Sequence, residues 1–270
     1  MNSYLAAAIQ MTSVPDLQKN LAQAEELIDV AVHKGAQLVG LPENFSFMGE
    51  EKEKLAQAEV IAKETQIFLK TMAQRYQVNI VGGGFPVPSD NIDKVYNTAS
   101  LIDSNGEELL CYRKAHLFDV NLPDGNTYRE SSTVMAGKEL PPVYLSKKLG
   151  HIGLSVCYDV RFPELYRYMA SKGADVMFVP AAFTAFTGKD HWQILLQARA
   201  IENTCYIIAP AQAGIHYDRR QTHGHAMIVD PWGMILADAG EYPGVACAEI
   251  NPARIEQVRR QMPSLQHRVF

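Results

Sequence analysis

Three apolar runs, far apart in the chain, each stop at one reactive side chain. Leu38-Val39-Gly40-Leu41-Pro42 leads into Glu43, Leu109-Leu110-Cys111-Tyr112-Arg113 into Lys114, and His151-Ile152-Gly153-Leu154-Ser155-Val156 into Cys157. The continuous apolar run Leu38–Leu41 has the pattern of a strand covered on both faces, which points to an α/β arrangement with helices outside the sheet. If such strands share one sheet edge, an acid, an amine and a thiol meet there. They read as a base, an oxyanion donor and a nucleophile, the chemistry of amide cleavage.

The stretches between these runs alternate in character. Asp16 caps a helix carrying Leu17, Leu21, Ala24, Leu27 and Ile28, which ends at Gly35. One amphipathic helix is expected over 51–76, a helix from Pro163 to Gly173, another over 190–203 and a last one over 251–262. Asn105-Gly106 between two β-like runs signals a hairpin, and 121–137 reads as a polar loop over the site. Ten to twelve strands are expected. No repeat, linker or low-complexity segment interrupts the pattern, so residues 1–270 read as a single domain.

Composition narrows the function. A net charge of −5 argues against a nucleic-acid binder, and no apolar run reaches the roughly 20 residues that span a bilayer. The N-terminal residues lack a basic region and an apolar signal core, so the expected location is the cytoplasm. The cysteines at 111, 157, 205 and 247 form no CxxC pair, which excludes a zinc ribbon or thioredoxin-like motif. Cys111, Cys205 and Cys247 lie within β-like runs and read as small core residues. Cys157 ends its strand just before a helix start, where a sharp turn exposes a side chain and aims backbone N–H groups at one spot. A free thiol is about 3% ionised at pH 7, so it needs a base or a cation beside it.

Spacing leaves Lys114 and Arg113 as equal candidates for the cation. Glu130, in the polar loop, carries no signal by itself. His216, His223 and His225 have no acidic or thiol partner at ligand spacing, so no metal is expected. The run Gly82-Gly83-Gly84 opens no helix and is not a dinucleotide fingerprint.

Taken together, the segments Gly40–Asn44, Tyr112–Asp119, Gly153–Glu164, Gly188–Trp192, Gln197–Asn203 and His223–Gly233 resemble the nitrilase superfamily of carbon–nitrogen hydrolases. The resemblance implies a four-layer αββα sandwich that dimerises through outer helices, and a cofactor-free site. It makes Cys157 the nucleophile, Glu43 the base and Lys114, rather than Arg113, the oxyanion cation. It also makes Glu130 a second glutamate that orients Lys114 and the amide, and the Tyr158 backbone N–H a further oxyanion donor. Phe183 and Thr187 match substrate-contact positions. Arg161, four residues beyond the nucleophile, is placed to clamp a carboxylate, and Arg219, Arg220 and His223 to hold a second one.

Phe162-Pro163-Glu164, Ala211–Gly214 and Met262–Arg268 are similar to the branch that acts on deaminated glutathione. The expected substrate is therefore a small carboxylate-bearing amide, cleaved to acid and ammonia. The alternatives are an ω-amidase acting on α-ketoglutaramate, an N-carbamoyl hydrolase or acyltransferase with the same nucleophile, and an inactive binding protein on the same scaffold. Intact Glu43, Lys114 and Cys157 argue against the last.

Overall fold

A computed structural model describes residues 2–218 and 220–269. The chain runs β1 (Tyr4–Met11), α1 (Leu17–His33), β2 (Ala36–Gly40), α2 (Glu51–Ala56), α3 (Ala58–Tyr76), β3 (Asn79–Pro88), β4 (Val95–Ile102) and β5 (Glu108–Arg113). A short hairpin, β6 (Asp119–Asn121) and β7 (Thr127–Arg129), follows. Next come β8 (Val143–Ser146), β9 (Gly150–Leu154), α4 (Pro163–Ser171), β10 (Val176–Phe178), α5 (Ala185–Asn203), β11 (Tyr206–Ala209) and β12 (Ala211–Ile215). The last elements are β13 (Gln221–His223), β14 (Met227–Val229), β15 (Ile235–Asp238), β16 (Gly244–Ile250) and α6 (Pro252–Gln261).

One sheet has the order β13-β12-β1-β2-β3-β4-β5, with β16 antiparallel to β1. The other has the order β15-β14-β11-β10-β9-β8. Alternation along the strands of the first sheet sorts its side chains between two cores. Ala6, Ala8, Leu38 and Val81 face the second sheet, while Ala7, Ile9, Val39 and Ile80 face Leu21, Ala24, Ile28 and Ala31 of α1 and Leu69, Met72 and Ala73 of α3. Both faces are buried through the middle of these strands, so Ala6–Ile9, Leu38–Val39 and Ile80–Val81 are continuously apolar, with the polar Gln10, Gln37 and Asn79 towards the strand ends. Leu165, Tyr166 and Met169 of α4 and Trp192, Leu196 and Ala200 of α5 cover the second sheet. The result is a four-layer αββα sandwich. The sheets approach so closely that a Cβ at Gly40 would lie 2.7 Å from Phe178 Cε1 and 2.7 Å from Pro210 Cγ.

The local signals act as chemistry requires. The Asp16 carboxylate accepts from the Lys19 N–H at 3.1 Å and caps α1. Asn105-Gly106 turns β4 into β5, with Gly106 at φ +82°. Five expectations change. Sixteen strands form among the described residues where ten to twelve were expected, because short strands of three or four residues add to the longer ones. The helix over 51–76 is two helices broken at Gln57, so that α3 packs its apolar stripe on the sheet while Glu51 and Lys54 of α2 face a cavity. The helix expected from Asp190 starts at Ala185, because Thr184 caps it by accepting from the Thr187 N–H. The polar stretch 121–137 contains β7 and a 3₁₀ turn, Glu130–Ser132. Cys111 is exposed rather than in the core, since β5 is the last strand of its sheet, and Cys247 is half-buried.

Candidate active site

The three strand ends meet. Glu43 follows β2 through Leu41 and Pro42, Lys114 follows β5, and Cys157 opens the 3₁₀ turn Cys157–Arg161, separated from β9 by Ser155 and Val156. Cys157 sits at φ +47°, a left-handed conformation unfavourable for a residue with a Cβ. The turn is held by the Cys157 N–H donating to Pro180 O at 2.9 Å. All three side chains are buried, with Lys114 2% exposed. Arg113 is exposed and lies over the Tyr96 ring at 4.1 Å, so of the two neighbouring cations Lys114 is the one turned inward.

Lys114 Nζ donates to Glu43 Oε1 at 3.0 Å and to both oxygens of Glu130 at 2.9 Å. Glu130 also accepts from the Phe118 N–H at 2.6 Å, which fixes the carboxylate that the polar loop delivers. Glu43 Oε2 accepts from the Ala182 N–H at 2.9 Å. Its Oε1 accepts from Asn97 Nδ2 at 2.9 Å, and Asn97 reaches Glu130 Oε1 at 3.3 Å. Backbone space around the base is tight. Gly84 has φ +47°, and a Cβ there would lie 2.7 Å from Glu43 Cγ. The glycine run in β3 thus makes room for a carboxylate.

These contacts set the protonation states. Burial alone would raise the Glu43 carboxyl, but the Lys114 charge and hydrogen bond, with the Cys157 thiol and the Ala182 N–H as further donors, bring it below the usual carboxylate range. Burial would lower the Lys114 ammonium, yet the Glu130 and Glu43 carboxylates hold it well above its ordinary value. The Cys157 thiol is pushed well up, by burial first and then by the Glu43 carboxylate, against the opposing pull of Lys114. At neutral pH the group therefore rests as carboxylate, ammonium and thiol. That is the state in which a base can take the thiol proton.

A second network ties the strand that carries Lys114 to the turn that carries Cys157. Buried Asp159 accepts from Tyr112 Oη at 2.8 Å and from the Val156 N–H at 2.9 Å through Oδ2. Its Oδ1 lies 2.7 Å from His116 Nδ1 and accepts from the His116 N–H at 3.1 Å. The His116 ring stacks on Phe162 at 3.6 Å. Asp159→Asn turns one acceptor oxygen into a donor facing donors. It is expected to lower kcat by roughly 10²-fold, the cost of misplacing a reacting group by about an ångström. Single-turnover rates of thioester formation, compared with KM, check this. A variant that loses melting temperature but forms the thioester at the wild-type rate would assign Asp159 to the fold alone.

Glu43, Lys114, Glu130 and Cys157 open onto a cavity of about 290 Å³. Tyr158, Phe183, Thr187 and Arg220 line it as expected from the sequence. Arg161 and His223 are not among its lining residues. The Arg161 guanidinium lies over Phe183 at 5.1 Å and Tyr158 at 5.8 Å, two residues that line the cavity. The His223 ring stacks on His225 at 4.7 Å, and its Cβ packs against Gly188 of α5. Arg219 lies outside the described residues. Asn97, Lys54, Tyr128 and Tyr217 line the cavity without having been singled out in the sequence. Asn97 sits in an ordinary apolar strand, and Lys54 in a charge-rich helical stretch, so neither stands out from its neighbours. His216 is held by Ser13 O at 2.8 Å and Thr222 Oγ1 at 2.7 Å. Among the described residues no group of three or more His, Cys, Asp or Glu is arranged to hold a metal.

The sequence profile of the carbon–nitrogen hydrolase family matches residues 5–260. A deaminated glutathione amidase of Synechocystis sp. is 71% identical over 271 residues, covering 100% of both chains. The crystal structure of the C. elegans NitFhit protein superimposes with a TM-score of 0.94 at 38% identity, over 100% of this chain and 66% of that one. A Saccharomyces cerevisiae protein of branch 10 of the nitrilase superfamily does so with a TM-score of 0.88 at 31% identity, over 100% of this chain and 97% of that one.

Proposed function

The chain belongs to the carbon–nitrogen hydrolase family, and on that premise we propose that Glu43, Lys114 and Cys157, supported by Glu130, carry out its amide hydrolysis. The enzyme is a cysteine-dependent amidase of metabolite repair, with deaminated glutathione as its substrate. The observation that carries the substrate is the full-length likeness to the Synechocystis amidase. The amide in deaminated glutathione joins a five-carbon keto acid to cysteinylglycine. The leaving group is therefore the amine of a dipeptide, and not the ammonia expected from the sequence. Ammonia leaves only from primary amides such as α-ketoglutaramate.

In the proposed reaction Glu43 takes the Cys157 proton as Sγ attacks the amide carbon. Lys114 and the Tyr158 backbone N–H hold the oxyanion. Glu43 returns the proton to the departing nitrogen, the C–N bond breaks, and a thioester to Cys157 remains. Glu43 then takes a proton from water, hydroxide attacks the thioester, and the acid leaves as the thiol is restored. Each step leaves Lys114 charged. We assign residues 1–270 to one such domain.

The same reading places the protein in the cytoplasm, in keeping with its free cysteines, and gives it neither nucleic-acid nor membrane partners. No helix among the described residues is long and apolar enough to cross a membrane. A homodimer or higher homo-oligomer is supported by the exposed apolar residues Ile194 and Ile201 on α5 and Trp232 and Met234 nearby in sequence to β15. The decisive assay compares kcat/KM for deaminated glutathione, α-ketoglutaramate, an N-carbamoyl amino acid and a simple nitrile. Highest efficiency on deaminated glutathione is expected. A clear preference for any of the others would replace the substrate and leave the catalytic residues standing.

The protonation states predict the pH dependence. A carboxyl held below its usual range is lost as a base only when pH falls through that lowered value. The acid limb of kcat/KM should therefore lie below the ordinary glutamate range, with no rise in activity through the thiol range. An activity that climbs with pH as a free thiol ionises would mean that the attacking thiolate forms without Glu43.

A further inference from the structure

Glu43, Glu130 and Lys114 account for two carboxylates and one ammonium of the cavity lining. The remaining charged lining residues are Lys54, Arg129 and Arg220 against Glu51 alone. Lys54 is the unusual one. It is 8% exposed, and lysine is rarely so buried unless paired. Its ammonium donates to Glu51 Oε1 at 2.8 Å, and among the described residues Glu51 is its hydrogen-bond partner. Lys114 differs, since three carboxylate oxygens surround it. The Glu51 carboxylate is itself shared, because Oε2 accepts from Thr133 Oγ1 at 2.8 Å. Arg220 stands over the Tyr128 ring at 4.5 Å, which steadies a second cation on the same lining. Here more positive charge faces the cavity than the protein neutralises.

We propose that Lys54, on the short helix α2, is a specificity-determining residue that binds a carboxylate on the leaving-group side of the amide, with Arg220 beside it. The inference rests on the substrate reading above. In deaminated glutathione that carboxylate is the glycine terminus, and it departs with the dipeptide. The thioester left on Cys157 is then the same as the one formed from α-ketoglutaramate. Lys54 therefore acts on thioester formation and not on thioester hydrolysis. Glu51 sets the strength of the contact by competing for the same ammonium.

The test compares deaminated glutathione with its glycine methyl ester, which keeps the amide and removes the charge. Keto-acid formation is followed for the wild type, Lys54→Met and Glu51→Gln. A charge-assisted contact corresponds to about 10- to 150-fold, so the wild type should prefer the acid by that ratio in kcat/KM. Lys54→Met should collapse the ratio towards one. Glu51→Gln, which keeps an acceptor for Thr133 but releases the ammonium, should raise it. The rate of thioester hydrolysis should not follow either change. Parallel losses on acid and ester, or an unaltered ratio in Lys54→Met, would overturn the proposal. A wild type that cleaves neither compound would defeat the substrate reading instead. Calorimetric binding of the pair to Cys157→Ala and to Cys157→Ala/Lys54→Met then decides the Lys54 proposal. Tighter binding of the acid only where Lys54 is present supports it, and equal binding overturns it.

Discussion

Cys157→Ala is expected to fold normally and to lose turnover by a factor on the order of 10⁶, the scale of losing a covalent nucleophile. Alanine keeps the Cβ, and the backbone turn rests on the Cys157 N–H bonded to Pro180 O, so the fold has little to lose. The chemistry has no substitute. Cys205 is buried with its thiol pushed up to about 12; desolvation and the nearby Glu108 carboxylate raise Cys111 although its side chain reaches the surface, and partial burial raises Cys247. None of them has a carboxylate base held like Glu43. Mass spectrometry of the wild type, quenched during turnover, should find the acyl group on the peptide containing Cys157. An adduct on Cys111, Cys205 or Cys247, or turnover by pure Cys157→Ala, would falsify the nucleophile assignment.

Lys114→Arg should be nearly as damaging as Lys114→Ala, although it keeps the charge. Lys114 is enclosed by Glu43 and Glu130 with almost no exposed surface. A guanidinium is longer and planar, and cannot place one compact donor at the same point. Losing an oxyanion donor costs about 10²–10³ in kcat. Lys114→Ala adds a second effect. It leaves Glu43 and Glu130 buried together without their cation, and breaking a buried pair destabilises by about 3–5 kcal/mol. Kinetics and thermal melts separate the two. Arginine should lower kcat with a small change in melting temperature, and alanine should lower both. An arginine variant that keeps most of its kcat would make Lys114 a general counter-charge.

Much of this site was legible because apolar runs report where buried strands stop. Glu43, Lys114 and Cys157 each follow such a run, so their meeting at strand ends could be read from the sequence, with the family resemblance choosing Lys114 over Arg113. The single sheet edge expected for them is corrected by the structure, since β2 and β5 belong to one sheet and β9 to the other, and the ends meet across the sandwich. Glu130 could not be read in the same way. It reaches the cluster from a polar stretch, and its register there comes from contacts such as the Phe118 N–H rather than from a local pattern. Arg161 is the reverse case. Its distance along the sequence from Cys157 suggested a clamp, and at the end of the 3₁₀ turn Cys157–Arg161 its guanidinium lies over the Tyr158 and Phe183 rings rather than in the cavity lining. The α/β class followed from alternating elements, whereas the four-layer αββα sandwich followed from the family resemblance. Strands of three residues, such as β10 and β14, have too few positions to show a period, and the Gln57 break interrupts a pattern that the sequence continues smoothly.

The members of the catalytic cluster are divided between the two sheets. Glu43 and Lys114 hang from the first, and Cys157 and the Ala182 N–H from the second. Neither sheet alone contains a base next to a thiol. During folding, then, the enzyme cannot acquire reactivity piecemeal. A chain with one sheet formed carries an ordinary cysteine, and acylation competence appears only when the layers dock. Reaction of Cys157 with substrate is thus a chemical readout of the docking of the two sheets.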